Sequence, residues 1–345
     1  MIRTSIGALI LFIGAVFGTL PALAQDSIVT LGPMAANPDV EAQNQAAPAP
    51  PCGTGAITIA RMQWPSAAIL AAIHARLLKA QFGCSVEVVD GDMAATGSSM
   101  GTTGQPAAAP EMWITRIADI WNSGIKGQQL RQAAPTYDVS SFEGWFVPTY
   151  VTDAHPEVTS AASLKGLASA GEKLRFISCP IDWGCAVINR NLIKAEGLDG
   201  LLDVVEPGNR FEMDTLIAEA VGRKEPFAFY YWQPNAILSQ FKFQPLDLGP
   251  YDHDALQCLA QQACAAPKPG SFAPEPVVIA VADWVFADIP AVAGYFQRAT
   301  MPIGEMNALL AELGEPNATV DTVADRFVAE RAEIWQKWAG PAAGR

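Results

Sequence analysis

The sequence is poor in histidine and lacks the cysteine spacing of common zinc and redox sites. It has three histidines in 345 residues, and no Cys-x-x-Cys occurs. None of the histidines lies near a cysteine pair in helical register. A zinc site or a thiol oxidoreductase needs one of these patterns. We therefore expect neither a metal nor any other cofactor.

Basic residues are also scarce. Lys and Arg number 22 against 35 Asp and Glu, and the formal net charge is −13. A protein that binds nucleic acid needs a basic surface to neutralise phosphates. The composition therefore argues against a nucleic-acid partner, while the excess of acid is compatible with solubility alone.

Long apolar runs are confined to the N-terminus. Arg3, an apolar stretch and small residues up to Ala24 match a secretory signal over residues 1–24. Gln25 follows the expected cleavage point, so no cysteine is available there for a lipid anchor. Residues 25–51 are rich in Ala, Pro, Gln and Asn and predict a disordered leader. We expect export to the periplasm, with no later segment able to span a membrane.

Six cysteines are present, and in an exported chain they should mostly be paired. Sequence alone leaves the connectivity open. Joining neighbours along the chain is the economical choice. The predicted disulfides are Cys52 with Cys84, Cys179 with Cys185, and Cys258 with Cys264.

The first half of the chain predicts alternating strands and helices, beginning with a βαβ unit. Pro65 at a helix start and Gly83 after its end fit the usual boundary signals. Gly97–Gly104 is rich in Gly, Ser and Thr and is interpreted as a loop. The predicted strands are 56–60, 85–89 and 111–114, and the predicted helices are 65–79 and 115–123.

The second half repeats the alternation and adds two β-type runs that we interpret as crossings between lobes. One is Glu143–Thr152, broken by Pro148, and the other is 273–282. The fold expected is α/β, with two lobes around a ligand cleft. Lobe 1 is assigned to residues 52–147 and 276–345, and lobe 2 to residues 148–275. The other predicted elements are helices near 163–166, at 186–196 and at 213–221, strands at 174–178 and 226–232, and helices from 283 to the C-terminus.

The most informative motif is Cys179-Pro-Ile-Asp-Trp-Gly-Cys185, which places Trp183 between a strand-like run and a helix. An indole held ahead of a helix N-terminus has the free backbone N–H groups of Gly184 and Cys185 beside it. Such a loop suits a ligand with a cation at one end and an anion at the other.

Two further tryptophans stand at strand ends. Trp113 ends the run Glu111-Met-Trp, and Trp232 ends a buried aromatic strand. In α/β folds, ligands bind where the carboxyl ends of strands meet. A cleft between the lobes would therefore collect Trp113, Trp183 and Trp232. Four other tryptophans are interpreted as core residues: Trp121, Trp284, Trp335 and Trp338.

The Cys-x-x-x-Trp-Gly-Cys loop, followed by Tyr230-Tyr-Trp-Gln-Pro234, resembles periplasmic substrate-binding proteins of glycine betaine and proline betaine ABC transporters. This is the ProX-like or OpuAC-type family, and the likeness spans roughly residues 55–340. It implies a type II periplasmic-binding-protein fold, with two lobes joined by two crossing segments. It also implies an inner-membrane ABC permease as the partner of a monomeric receptor.

In that family three tryptophans surround the trimethylammonium head of the ligand, and the matching residues here are Trp113, Trp183 and Trp232. A quaternary ammonium has no N–H to donate, and an indole face offers it both attraction and apolar contact. The resemblance places the ligand carboxylate on the backbone N–H groups of Gly184 and Cys185. A disulfide in the Trp183 loop would reduce the ordering cost of binding.

This chain departs from the family pattern at several positions. Ile117 replaces a histidine that follows the first-lobe tryptophan, and the adjacent Arg116 is expected to point elsewhere on its helix. Asn235 replaces an aromatic residue after the Trp-x-Pro motif. Trp64 and Trp145 lie where choline-binding relatives place cage aromatics, so both are candidate walls of the site.

Three other interpretations stay open beside a betaine receptor. A choline- or carnitine-type receptor of the same fold is one. A secreted enzyme acting on a small cationic substrate is the second, although the chain has no nucleophile elbow or metal-ligand pair. Asp182 beside the loop could be a general base, but a helix-capping carboxylate is the simpler interpretation. A structural interaction protein is the third, and it would not need the Trp-Gly-Cys loop.

Overall fold

The computed structural model describes residues 51–139, 142–168 and 172–340. The predicted signal segment and nearly all of the predicted leader lie outside these residues. Within these ranges, none of the helices combines the length and the apolar content needed to cross a membrane.

The strands of the described chain form two five-stranded sheets, one in each lobe. They are β1 (Ile57–Met62), β2 (Val86–Gly91), β3 (Ala108–Trp113), β4 (Leu130–Pro135), β5 (Glu143–Pro148), β6 (Leu174–Ile177), β7 (Leu202–Val205), β8 (Phe227–Trp232), β9 (Phe243–Pro245) and β10 (Val277–Ala282). The first sheet has the order β2-β1-β3-β10-β4, and the second has the order β7-β6-β8-β5-β9.

Helices cover the faces of both sheets. The described α-helices are α1 (Pro65–Phe82), α2 (Met93–Thr103), α3 (Ala118–Lys126), α4 (Thr149–Ala154), α5 (Gly184–Ala195), α6 (Arg210–Gly222), α7 (Ile237–Gln240), α8 (His253–Leu259), α9 (Asp283–Asp288), α10 (Pro290–Arg298), α11 (Ile303–Leu313), α12 (Val320–Glu330) and α13 (Ala332–Ala339). Two 3-10 helices lie at Ile114–Ile117 and Ala161–Gly166. The predicted α/β architecture with two lobes is confirmed.

The directions of the strands place tryptophans at the cleft. β1 runs parallel to β2 and β3, and β10 returns antiparallel between β3 and β4. In the second sheet β6 runs parallel to β7 and β8. Because β3 ends at Trp113 and β8 ends at Trp232, the carboxyl ends of both sheets bring an indole to the space between the lobes.

Strand β5 corrects one prediction. The run that begins at Glu143 does not cross between lobes, because β5 pairs antiparallel with β8 and β9 inside the second sheet. Residues 143–147, which we assigned to lobe 1, therefore belong to the second sheet. Pro148 ends the strand, where its missing N–H is tolerated. Burial of apolar side chains favours this placement, because Phe146 and Val147 pack in the lobe 2 core.

Helix α2 corrects a second prediction from the sequence. We expected Gly97–Gly104 to be a loop, but α2 continues through most of it. Asp92 caps the helix by accepting from the N–H of Ala95. A Cβ at Gly97 would lie 3.1 Å from Ile117 Cδ1. The glycine thus allows a close approach to the 3-10 helix that follows β3, and this packing outweighs the low helix propensity of the segment.

The three predicted disulfides are confirmed. The Cα atoms of Cys52 and Cys84 lie 5.3 Å apart, and this bond ties the chain before β1 to the residue after α1. The other two bonds close short loops in lobe 2, with Cα separations of 6.3 Å for Cys179–Cys185 and 5.1 Å for Cys258–Cys264. Asn191 stabilises the Cys258–Cys264 loop, because its side-chain amide donates to the carbonyls of Leu259 and Gln261.

A buried histidine in lobe 1 makes stability depend on pH. His74 is fully buried; its Nδ1 lies 2.7 Å from Tyr295 Oη, and its Nε2 has no hydrogen-bond partner in the described chain. Burial lowers the pKa of His74 from 6.5 to about 3. Between these values the unfolded chain binds a proton there and the folded chain does not. The free energy of unfolding therefore falls by about 1.4 kcal/mol per pH unit as the pH drops below 6.5.

We expect His74→Gln to remove this contribution, because glutamine is also polar but does not titrate. Urea unfolding at pH 7 and pH 5 measures it. The loss of unfolding free energy between the two pH values should be about 2 kcal/mol larger in the wild type than in the variant. Equal losses in both proteins would show that His74 does not carry the effect.

Candidate functional site

A cavity of about 1040 Å³ lies between the two lobes. Four indoles line it, two from each lobe: Trp64, Trp113, Trp183 and Trp232. The predicted residues Gly184, Cys185 and Asn235 also line it. The structure thus brings together seven of the eight predicted site residues.

The two lobe 2 indoles form one corner of the cavity. The ring centroids of Trp183 and Trp232 lie 5.6 Å apart, with the planes inclined by 56°. Trp232 is supported from behind by Tyr231, whose ring stacks on it at 4.7 Å and 16°. Trp183 remains 36% exposed, which is high for a tryptophan. An inclined pair of indoles with an open face offers a concave aromatic surface to a ligand.

The disulfide loop fixes the position of Trp183. Its backbone N–H donates to Pro180 O at 2.9 Å, and its carbonyl accepts from Ala186 N at 3.0 Å. Trp183 is thereby the N-cap residue of α5. Within the part of the chain that the structure describes, the N–H groups of Gly184 and Cys185 donate to no backbone carbonyl. They line the cavity beside the indole and are available to an anionic group.

The two lobe 1 indoles share one acceptor. Trp64 Nε1 and Trp113 Nε1 donate to the same carboxylate oxygen, Glu111 Oε1, at 2.9 and 3.0 Å. Ser66 Oγ donates to this oxygen as well, at 3.0 Å. Glu111 is 1% exposed, and burial raises its pKa, while the groups that face it, Trp64, Ser66, Trp113 and the buried Tyr137, oppose that shift. The N–H edges of both rings therefore point at one buried carboxylate.

Arg116 lies at the junction of the lobes, contrary to our expectation that it points elsewhere. Its guanidinium stacks over the Trp113 ring at 5.2 Å. It also pairs with Glu275, with Nη2 3.1 Å from a carboxylate oxygen, just before the chain enters β10. Arg116 occupies the 3-10 helix after β3, and this short helix, rather than the regular helix predicted there, turns the side chain into the cavity.

Two acidic groups of lobe 2 are bonded to tyrosines of β8. Glu143 accepts from Tyr230 Oη at 2.5 Å, and Asp214 accepts from the Tyr231 hydroxyl. Burial raises the pKa of both carboxyls, and the tyrosine donors oppose the shift. Arg210 lies 3.7 Å from Asp214 and also lines the cavity.

Acidic groups outnumber basic ones around the cavity. The lining carboxylates are Glu111, Glu143, Asp214 and Glu275, and the lining guanidiniums are Arg116 and Arg210. This excess of acid, with four indoles, favours a ligand that carries positive charge.

Asn235 couples the cavity to the opposite lobe. Its backbone N–H donates to Asn307 Oδ1 at 2.6 Å, and Asn307 belongs to α11 of lobe 1. Ser239 Oγ donates to the Asn307 carbonyl at 3.0 Å. The side chain of Asn235 accepts from Tyr231 Oη at 3.1 Å. The contact of α7 with α11 therefore closes one side of the cleft.

Trp145 is the predicted site residue that the structure places elsewhere. It is fully buried in the lobe 2 core, on β5, and does not line the cavity. Its Nε1 donates to Asn189 Oδ1 at 2.8 Å, and its ring packs edge-on against Phe176 at 4.6 Å. The side chain points inward because β5 is an interior strand of the second sheet, not a crossing segment.

Sequence reasoning missed several residues of the site, Glu111 above all. A carboxylate two positions before Trp113 in an apolar strand is the signal that could have identified it, since both side chains then lie on one face. Arg116, Glu143 and Asp214 gave no comparable signal, because each reaches the cavity through tertiary packing.

A family profile matches residues 55–330 of the chain. It describes the substrate-binding domain of an ABC-type glycine betaine transport system. A comparison with curated protein sequences finds no match.

Solved structures are similar in fold at low sequence identity. Lactococcal OpuAC in its closed form with glycine betaine is 15% identical, with a TM-score of 0.53, over 83% of this chain and 99% of that one. The glycine betaine and L-proline-binding protein ProX of Borrelia burgdorferi is 16% identical, with a TM-score of 0.51, over 82% and 96%. A choline-binding protein of an ABC transporter, in complex with choline, is 13% identical, with a TM-score of 0.50, over 84% and 93%. The predicted type II fold is confirmed.

Proposed function

Because the chain belongs to the family of substrate-binding domains of ABC-type glycine betaine transport systems, we propose that it captures a quaternary ammonium solute in its interlobe cavity. The protein is an extracytoplasmic substrate-binding receptor, and its partners are a small ligand and an ABC permease. The proposal concerns which ligand it takes and which residues hold it.

The observation that carries the proposal is the convergence of four indoles, two from each lobe, on one cavity lined by an excess of carboxylates. Each indole face contributes about 0.5 to 2 kcal/mol to holding a cation. Burial of the methyl groups adds to this, and a micromolar dissociation constant corresponds to about 8 kcal/mol. Because the indoles come from both lobes, a ligand that contacts all of them favours the closed arrangement of the lobes.

The cavity also has groups that can hold the carboxylate of glycine betaine. The N–H groups of Gly184 and Cys185 are oriented as an anion site at the start of α5. Arg116 supplies a cation from lobe 1, beside the position where relatives have histidine. Its Nε and Nη2 face Glu275, which leaves donors on Nη1 for a carboxylate of the ligand. We therefore assign Arg116 to the anionic end of the ligand.

Choline is the second candidate, and the excess of cavity carboxylates favours it. Choline carries a net positive charge and a hydroxyl in place of the carboxylate. Asp214 or Glu143 can accept from such a hydroxyl, and Trp64 adds a fourth wall to the three-tryptophan box.

Isothermal titration calorimetry of the mature protein, residues 25–345, with glycine betaine, proline betaine, choline and carnitine tests the proposal. At least one of them should bind with a micromolar or lower dissociation constant. Binding of none, together with binding of a sugar or a primary amino acid, contradicts it. Mass spectrometry of small molecules that copurify with the protein gives an independent identification.

The choice between the two ligands predicts a selective effect at Arg116. We expect Arg116→Gln to weaken glycine betaine binding by about 10- to 100-fold, since a hydrogen bond between charged groups contributes about 1.5 to 3 kcal/mol. Choline binding should be unchanged or stronger, because the variant removes a positive charge from the cavity. Calorimetry with both ligands measures the ratio.

Arg210→Gln is the matched control for this experiment, since it removes the other cavity guanidinium. Arg210 is engaged on lobe 2 by Asp214 and by the Phe211 ring. The Arg210→Gln variant should therefore change the ratio of betaine affinity to choline affinity less than Arg116→Gln does. Equal losses of both ligands in Arg116→Gln would place the anionic end elsewhere.

We also propose that residues 1–24 direct export to the periplasm, that the mature protein is a monomer, and that it has no enzymatic activity. The family match supports the last point, because the family is one of transport substrate-binding domains. Light scattering after gel filtration tests the monomer. Sequencing the N-terminus of the periplasmic protein tests cleavage, and unchanged recovery of the bound ligand tests the absence of turnover.

A further inference from the structure

Glu111 differs from the other acidic groups of the cavity in its hydrogen-bond partners. Glu143 and Asp214 accept from tyrosines, whereas Glu111 accepts from two indoles that themselves line the cavity. All its hydrogen bonds to Trp64, Trp113 and Ser66 converge on one oxygen, Oε1. In the two bonds from the indoles Glu111 must be the acceptor, because an indole N–H only donates.

The arrangement determines the orientation of both lobe 1 indoles. Trp64 precedes α1 and Trp113 ends β3, so the two residues come from separate elements. A single shared acceptor fixes the N–H edge of each ring relative to the other. An indole has a donor only at that edge, so its orientation follows from where the acceptor lies.

The charge of Glu111 also changes what these rings offer to a cation. An indole N–H that donates to a carboxylate is polarised toward the acceptor, which makes the ring more electron-rich. A cation is held by the negative face of the ring, so this polarisation strengthens its binding. The carboxylate attracts the cation directly as well, and burial weakens the screening of that attraction.

We infer that Glu111 is a positioning residue of the cage, a buried carboxylate that orients Trp64 and Trp113 and makes their faces selective for a cation over a neutral group of the same shape. The selectivity for a cation rests on the proposed function. The orientation of the two indoles rests only on their hydrogen bonds to Glu111. It distinguishes the two halves of the cage, since Trp183 and Trp232 have no hydrogen bond to Glu111.

The ligand-binding test uses choline and 3,3-dimethylbutan-1-ol, which has the same shape with carbon in place of the charged nitrogen. Glu111→Gln keeps an oxygen that can accept from both indoles and removes the charge. We expect choline affinity to fall by at least ten-fold and the affinity of the neutral alcohol to change by less than two-fold. A purely structural role would weaken both ligands by the same factor, and that result overturns the selectivity.

The second measurement needs no ligand. In ¹H–¹⁵N spectra of the free protein, the indole N–H resonances of Trp64 and Trp113 are assigned with the single Trp→Phe variants. Both should move in Glu111→Gln while those of Trp183 and Trp232 stay in place. Glu143→Gln is the matched control, since it removes another buried cavity carboxylate and should move neither of the lobe 1 resonances. Unmoved Trp64 and Trp113 resonances in Glu111→Gln overturn the positioning role.

The wild type alone provides a third measurement in case Glu111→Gln does not fold. The Trp64 and Trp113 resonances should titrate together, with one midpoint above the usual pKa of 4.5, because burial raises the pKa of Glu111. Separate midpoints, or none, contradict the shared acceptor. If wild-type protein binds no quaternary ammonium at all, the proposed function fails instead, and the resonances still decide the positioning role.

Discussion

Replacing Trp183 or Trp232 with alanine is expected to weaken binding of the quaternary ammonium ligand by more than ten-fold while the protein stays folded. Each substitution removes one cation–π face, about 0.5 to 2 kcal/mol, together with the apolar contact of the methyl groups. A ten-fold loss corresponds to about 1.4 kcal/mol. Calorimetry with the ligand of the panel that binds wild type best measures the loss, and near-ultraviolet circular dichroism checks the fold.

The two substitutions should not be additive. The rings lie 5.6 Å apart and support each other, so removing one already disturbs the corner that both form. The double variant should therefore lose less binding free energy than the sum of the single variants.

Trp335→Ala is the control for this prediction. Trp335 lies on α13, its Nε1 donates to Val328 O at 2.9 Å, and it does not line the cavity. The same change of residue type there should leave affinity unchanged. Wild-type affinity in Trp183→Ala and Trp232→Ala would move the ligand site away from the lobe 2 corner.

The parts of the site that sequence predicted are those set by short-range geometry. Trp183 precedes a helix inside a cysteine-bounded loop, so its display depends on seven consecutive residues. Trp113 and Trp232 each end a strand, and in each sheet the parallel strands take their carboxyl ends to the edge that faces the cleft. The disulfides followed from neighbours along the chain for a similar reason.

The parts that sequence did not predict depend on tertiary packing. α2 forms in a Gly-, Ser- and Thr-rich segment because its glycine lets a neighbouring element approach closely. Arg116 enters the cavity because it lies on the 3-10 helix after β3, where it pairs with Glu275, distant in sequence. Local propensity carries no information about either contact, since each joins residues of separate elements.

Trp145 was predicted to line the site, but tertiary packing places it in the lobe 2 core. An aromatic residue near an expected crossing matched the position of a cage residue in choline-binding relatives, yet β5 turned out to be an interior strand. Trp64 and Trp145 were both predicted as walls of the site, yet only Trp64 lines the cavity.

We expect Trp145→Ala to lower the free energy of unfolding by about 3 to 5 kcal/mol, the range for removing a large aromatic side chain from a core. It also leaves Asn189 Oδ1 without its 2.8 Å donor. Ligand affinity of the folded protein should change by less than two-fold. Urea unfolding and calorimetry measure the two quantities separately.

Two companion variants make the result decisive. Trp145→Phe keeps most of the ring but loses the N–H, so it should fold and retain affinity even if the alanine variant does not fold. Trp338→Ala is the lobe 1 counterpart, since Trp338 stacks on Phe327 at 5.7 Å and donates to Thr300 O at 3.1 Å. Its effect should likewise be on stability. A ten-fold loss of ligand affinity in stably folded Trp145→Phe would return Trp145 to the binding site, because a residue that acts only through the core leaves the affinity of the folded form unchanged.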